Sequence, residues 1–360
     1  SALATTRSQS IGCGPSSAIF YGENIEGYVL VNTKTRENDP SGKTNKSRSG
    51  VGVNGFVRKA AFALRFSDFK LFISDQATSK SKIQFVRDVK QRVSIAAPFL
   101  DYDADPYPVL LDGKVIWVVD AYTTSSNYPY SESAFVNDVK DGSGLKKSFN
   151  YARNSVKVTV DAIDGSMHFY VVDDTDPVLR SYRNAFPNLF EDVSKAPQGL
   201  VEHFRYPEDL FRVQSVMYGF YHVDSAEAFY NRDDLWEVPG RTETESGGGD
   251  AMAGSSASTA DALAGGRAEV LQPSGARFEP IYQNVQFPGN ESLEFGLQRP
   301  YVGFAKPNVL RSYIVGRSDG KDRGKLVVYE YSQDVSPPSP KRVQNQFESD
   351  AGIAKQLSLL

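Results

Sequence analysis

The sharpest group of chemistry-bearing residues is Asp101-Tyr-Asp103-Ala-Asp105-Pro-Tyr-Pro-Val-Leu-Leu-Asp112. Carboxylates at positions 1, 3, 5 and 12 of this stretch match the spacing of a calcium loop, where alternate oxygen ligands converge on a hard cation. Two departures weaken the match. Pro106 stands where the loop needs a turning glycine, and Asp112 replaces the longer, bidentate Glu. Asp112 also begins an Asp-Gly turn, so an acidic surface loop capping a hairpin explains the same residues, and they favour that reading. If the segment does hold Ca2+, two uses follow. The ion braces the fold, as in extracellular modules of weak affinity. Alternatively, Asp101, Asp103, Asp105 and Asp120 hold a hard cation whose bound water attacks a substrate.

Asp120 ends the apolar run Val115–Val119 and opens a stretch rich in hydroxyls, containing Tyr122, Thr123, Thr124, Tyr128 and Tyr130. An acid at a strand end before such a loop is a common place for an active site, so Asp120 is a candidate general base or metal ligand and the five others form a candidate functional loop. The competing reading has Asp120 bonding the backbone of its own loop; no partner is identifiable in sequence, which favours it. His168, His203 and His222 show no ligand spacing, and nucleophile-elbow, Walker and dinucleotide motifs are absent. Cys13 is the only cysteine, so it forms neither an internal disulfide nor a thiolate metal cage. No catalytic or cofactor-binding residue is assigned, and the sequence leans away from an enzyme.

These candidates need strands and helices to position them. Residues 18–23 and 28–32 read as short strands, 33–50 as a polar loop. Val53, Phe56, Val57, Ala60, Ala61 and Leu64 recur at helical spacing, as do Ile83, Val86, Val89, Val93 and Ala97 before Pro98. Leu111-Asp-Gly-Lys114 between apolar runs is a hairpin signal, and Val115–Val119, apolar on both faces, belongs in a sheet centre. Val156, Val158 and Val160 alternate with polar residues before a second Asp-Gly turn into Met167–Val172. Helices follow at 177–185 and 207–221; Pro207 fits the first helical position, and Leu210, Val213, Met217 and Phe220 form a core-facing stripe. Strands are expected at 281–287, 293–297, 310–315 and 326–331, and an amphipathic helix after Val343.

The fold class is therefore α+β: antiparallel, hairpin-built sheets with helices packed on one face. Residues 1–241 form the main domain, 242–275 a flexible Ala/Gly/Ser-rich insertion, 276–336 the strands completing the β core, and 337–360 a Pro-rich connector with a C-terminal helix. The apolar ending Leu357-Ser-Leu-Leu360 suggests a piece of a longer protein.

With 360 residues, 12% aromatic and 23% charged, the chain is globular in composition. No stretch reaches the roughly eighteen apolar residues of a membrane span, and no leading segment has signal-peptide order, so the chain as written reads as water-soluble. Lys and Arg total 40 against 44 Asp and Glu, a net charge of −4. That balance argues against a nucleic-acid partner or a dedicated anionic-membrane surface, which would want a basic stripe. Lys43, Lys46 and Arg48 read as a solvated loop.

Leu111-Asp-Gly-Lys-Val-Ile-Trp-Val-Val-Asp-Ala-Tyr-Thr-Thr-Ser-Ser-Asn-Tyr-Pro-Tyr-Ser, with Phe62-Ala-Leu-Arg-Phe, Asn150-Tyr-Ala-Arg-Asn-Ser-Val-Lys and Tyr206-Pro-Glu-Asp-Leu-Phe, resembles the family catalogued as uncharacterised protein family 0182. The resemblance runs from Ile19 to the last residue, apart from 242–275. It implies a multi-pass membrane protein with a large extracytoplasmic region, of which this chain resembles an interior part. Location at the cell membrane, on the extracytoplasmic side, follows from it. So do the partners it implies: the protein's own membrane-embedded helices and an envelope lipid, glycan or protein. It carries over no catalytic residue. Binding of an envelope component, with coupling to transport or assembly, ranks first, the calcium-braced module second and the metal-dependent hydrolase third; oligomeric state has no sequence signal.

Overall fold

The computed structural model describes residues 19–34, 49–73, 76–133, 138–240, 277–332 and 334–357. Cys13, the Lys43–Arg48 cluster and the 242–275 insertion lie outside the described residues. The fold is α+β with antiparallel sheets. The chain divides into two compact units, one of residues 2–124 and 152–204, the other of residues 125–151 and 205–360.

The first unit begins with a small sheet. Strands β1 (Val29–Val31) and β2 (Val51–Gly52) precede a helical corner, α1 (Phe56–Phe66) and α2 (Phe69–Ile73), and β3 (Lys82–Gln84) pairs antiparallel with both strands. Phe62 and Phe66 on the inner side of α1 pack against Val53, Leu71 and Ile83. The corner is made by Ser67, left-handed at φ 52°, and by Asp68, which accepts the Lys70 N–H at 2.9 Å and the Tyr28 hydroxyl at 2.6 Å. Residues 19–24 form no strand; Gly22 makes only a bridge to Asp88.

The periodic stretch from Ile83 to Ala97 is not one helix. Ile83 is buried in β3, Val86 takes a left-handed φ of 55°, and Asp88 caps α3 (Val89–Ala96) by accepting the Gln91 N–H at 2.7 Å. Ile and Val serve strands as well as helices, so periodicity alone hid the break.

The main sheet of this unit contains β4 (Asp101–Tyr102), β5 (Tyr107–Leu111), β6 (Lys114–Ser125), β7 (Tyr151–Asp161) and β8 (Met167–Val171). Helix α4 (Pro177–Ala185) then returns the chain to β9 (Phe190–Asp192), which pairs parallel with β8. The order is β4-β6-β7-β8-β9, with β5 also on β6, so β6 is central as its two-faced apolarity predicts. Asp112 and Gly113, at φ 49° and 74°, make the two-residue turn that this hairpin twist demands. In the longer turn after β7, Gly165 has φ 69°, and a Cβ there would stand 2.5 Å from the Tyr21 ring, so only glycine fits.

Val119, Ala121, Val156, Val158 and Val160 share one cluster with Val89, Val93 and Leu179, which seats α3 and α4 on a common core. A second cluster joins Val109, Val118 and Tyr170 to Leu200 and Phe204, beside the short 3-10 turns Val193–Lys195 and Val201–His203.

The second unit holds α5 (Glu208–Tyr221), α6 (Ala226–Asn231) and β10 (Trp236–Glu237), followed by β11 (Ile281–Val285), β12 (Glu294–Gly303), β13 (Lys306–Arg317) and β14 (Leu326–Glu330). Its sheet runs β10-β12-β13-β14, with β11 on β12, all antiparallel. Pro207 is the N-cap of α5 rather than its first residue. Phe211 packs against Trp236, Leu297, Tyr301 and Ile314. The helix lies so close to β10 that a Cβ on Gly219 would meet the Trp236 carbonyl at 2.5 Å. Pro337 and Ser339 tie the connector to β13 through bonds of 2.9 Å to Leu310 and Asn308, ahead of α7 (Pro340–Ser349) and α8 (Ala351–Leu357).

Burial, reinforced by the Asp68 carboxylate, pushes the Tyr28 phenol up to about 12 from an ordinary 10.0. A group whose pKa is higher folded than unfolded stabilises the fold below its unfolded value and loses that contribution as pH rises through the folded one. The corner beside α1 should therefore weaken between pH 10.0 and about 12. Stability curves of wild type and Tyr28→Phe should converge across that window; parallel curves would refute the assignment.

Candidate functional site

Asp120 lies within β6, not at its end, because the strand continues through Tyr122, Thr123 and Thr124 to Ser125. The first three of these hydroxyls each find a carboxylate, and the strand is held extended by its neighbours in the sheet. Tyr122 donates to Asp103, Thr123 to Asp176 and Thr124 to Asp101, each at 2.5 Å. Asp101 and Tyr102 pair with Tyr122 and Ala121 across the β4–β6 ladder. Asp103 also accepts the Asp105 N–H at 3.0 Å, while Asp112 is exposed in its turn. Asp101 and Asp103 thus accept hydroxyl hydrogen bonds from β6. Among the described residues, no group of three or more His, Cys, Asp or Glu is placed to hold a metal ion.

Asp120 has a partner the sequence did not reveal: Lys157 on the neighbouring strand β7 forms an ion pair with it, and both side chains are buried. The Lys157 ammonium also sits 5.9 Å from the centre of the Phe204 ring. Burial raises the Asp120 pKa, the Lys157 charge opposes that rise, and the Asp103 charge adds to it. Asp120 and Lys157 thus link two adjacent strands through a buried ion pair.

The tyrosines of the loop behave differently. Tyr130 is fully exposed and Tyr128 half-exposed, with its ring stacked on Tyr151 at 5.1 Å. Asn150 holds this loop from three directions: its carbonyl oxygen accepts the Tyr128 N–H at 2.9 Å, and its amide nitrogen donates to the carbonyls of Tyr128 at 2.9 Å and Ser131 at 3.1 Å. The Asn150 N–H reaches the Ser125 carbonyl at 2.8 Å. Tyr130 takes φ 57°, a left-handed conformation that disfavours a residue with a bulky side chain. The candidate loop is therefore divided: Asp120, Tyr122 and Thr123 are interior, while Tyr128 and Tyr130 are displayed.

A charge network in the second unit escaped sequence reasoning. Arg299, fully buried on β12, contacts Asp138 at 2.5 Å and donates to the Phe278 carbonyl at 2.7 Å and the Ser215 hydroxyl at 3.1 Å. Arg212 bonds Glu208 one turn earlier on α5 at 2.7 Å and also pairs with Glu279. Arg212 remains charged, since Glu279 and Glu208 outweigh its burial, and Glu279 is held below its usual range by Arg212. The one local signal was the four-residue spacing of Glu208 and Arg212; Asp138 and Arg299 are far apart in sequence. Beside the network, Trp236, Glu237, Val238, Arg277 and Phe304 line a narrow crevice of about 10 Å³. Burial lowers the Arg277 pKa and raises that of Glu237.

The arrangement is that of an α+β protein with buried ion pairs in both units and a braced loop that displays Tyr128 and Tyr130. The chain belongs to the uncharacterised protein family UPF0182, whose profile matches residues 3–360. A UPF0182 protein of Desulforamulus reducens is 40% identical over 348 residues, which is 95% of this chain and 33% of that protein. One from Pelotomaculum thermopropionicum is 35% identical over 347 residues, 95% and 34% of the two chains. One from Trichodesmium erythraeum is 35% identical over 356 residues, 95% and 36%. The chain thus spans about a third of the length of these curated relatives. No solved structure matches it.

Removing one partner of a buried pair strands the other, at about 3–5 kcal/mol. Lys157→Met should cost that much in chemical denaturation, and Asp120→Leu/Lys157→Met should recover most of it. Without Lys157 the Asp120 pKa rises further, so the folded chain holds the proton more tightly than the unfolded one. The deficit of Lys157→Met should then grow as pH rises through the already raised Asp120 pKa of the wild-type fold, above the ordinary Asp value of 3.8. A deficit independent of pH would show that Asp120 is not the stranded charge.

Proposed function

We propose that this region is the extracytoplasmic, ligand-binding part of a larger membrane protein and that it binds an envelope glycan through the Tyr128–Tyr130 loop. The supporting observation is the preorganised display of aromatic rings. Asn150 and Tyr151 fix Tyr128, and the left-handed backbone holds Tyr130 in solvent. Rings held this way give up little conformational entropy on binding, and their faces suit the C–H face of a sugar while the hydroxyls bond its rim. Strain kept in an exposed loop residue is a feature of binding sites.

The membrane setting rests on family membership and on the chain's being about a third of its relatives' length. No described helix is long and apolar enough to cross a membrane. Titration calorimetry against envelope polysaccharide fragments should detect binding to wild type. Tyr130→Ala should weaken it about ten-fold, a loss of about 1.4 kcal/mol, with an unchanged melting temperature. Asn150→Ala should weaken it at least as much, by freeing the loop. Binding that survives both substitutions would remove the loop from the role.

A further inference from the structure

The helical corner α1–α2 exposes more apolar surface than its packing uses. Phe56, Val57, Leu64, Phe69 and Ile73 are each between 73% and 81% exposed. At about 100° per residue, Phe56, Ala60, Leu64, Val57 and Ala61 fill one continuous arc of α1, with Arg58 and Arg65 together at its border. Phe62 and Phe66 point the other way, into the cluster of Val53, Leu71 and Ile83, so the exposed arc is not the core face. The Phe56 ring meets Phe72 edge-on at 5.0 Å, carrying the apolar surface onto α2.

Charge on this corner runs against that of the chain. Between Gly55 and Ile73 stand Arg58, Lys59, Arg65 and Lys70 against a single acid, Asp68, in a protein of net charge −4. That acid accepts the Tyr28 hydroxyl and the Lys70 N–H. Arg58, Arg65 and Lys70 are exposed. Long cationic side chains bordering a Phe- and Leu-bearing face let the apolar atoms enter the acyl region while the charges reach headgroup phosphates.

We propose that the α1–α2 corner docks on the surface of an anionic lipid bilayer, lying in the interface rather than crossing it. Charge complementarity points to this occupant: acyl chains take the apolar arc and anionic headgroups answer the cations on its border. The proposal is independent of the tyrosine loop, and the two fail separately.

The test is flotation of the 360-residue chain with vesicles of phosphatidylcholine alone or with about one-third phosphatidylglycerol. Wild type should float with the anionic vesicles, and added salt should reduce the bound fraction. Leu64→Asp/Ile73→Asp should cut binding about ten-fold or more, and Arg58→Glu/Arg65→Glu should abolish the preference for anionic lipid. All four positions are exposed, so circular dichroism of each variant should match wild type, and Tyr130→Ala should float normally. No flotation of wild type, or equal flotation of wild type and Leu64→Asp/Ile73→Asp, overturns the proposal. A wild-type dimer that ignores vesicles and dissociates in Leu64→Asp/Ile73→Asp overturns it in favour of a second copy of the chain.

Discussion

Lys157 reaches Asp120 across two adjacent central strands, and neither charge has access to water. Carrying such a pair into the interior costs several kcal/mol per ion unless the geometry holds both together. That demand fixes the register of β6 on β7, because a one-residue slip would turn the two side chains to opposite faces. Once the register is fixed, Val119, Ala121, Val156 and Val158 fall together beneath α3 and α4, and Val118 joins the cluster of Leu200 and Phe204. The second unit obeys the same rule with arginines: Arg299 and Arg212 are buried on β12 and α5, with Asp138, Glu208 and Glu279 as their counter-charges.

Much of the fold was legible because local signals and tertiary structure agreed. The Asp112-Gly113 turn, the alternation of Val156, Val158 and Val160, and the helices at 177–185 and 208–221 all formed as their patterns indicate. Legibility failed where one residue decided the matter. Val86 adopts a left-handed backbone that no periodicity shows, and it splits a helix-spaced stretch into a strand and a helix.

The site was half legible for a similar reason. Hydroxyl-rich composition drew attention to residues 120–130, but it could not separate the hydroxyls that bond carboxylates from those that face solvent. Tyr122 and Tyr130 look alike in sequence; only the reach to Asp103 and the anchoring by Asn150 tell them apart. Whole-chain charge has the same blindness, since an overall excess of acids averages out a helical corner with four cations and one acid.

The first unit is interrupted: residues 125–151 leave it between β6 and β7 and belong to the other unit, where Asp138 meets Arg299. During synthesis, β6 therefore emerges well before the strand that neutralises Asp120, and Asp138 waits still longer for β12. Each half-made unit carries an unanswered carboxylate destined for its interior. Neither unit can close before its returning segment has been made, residues 152–204 for the first and 205–360 for the second.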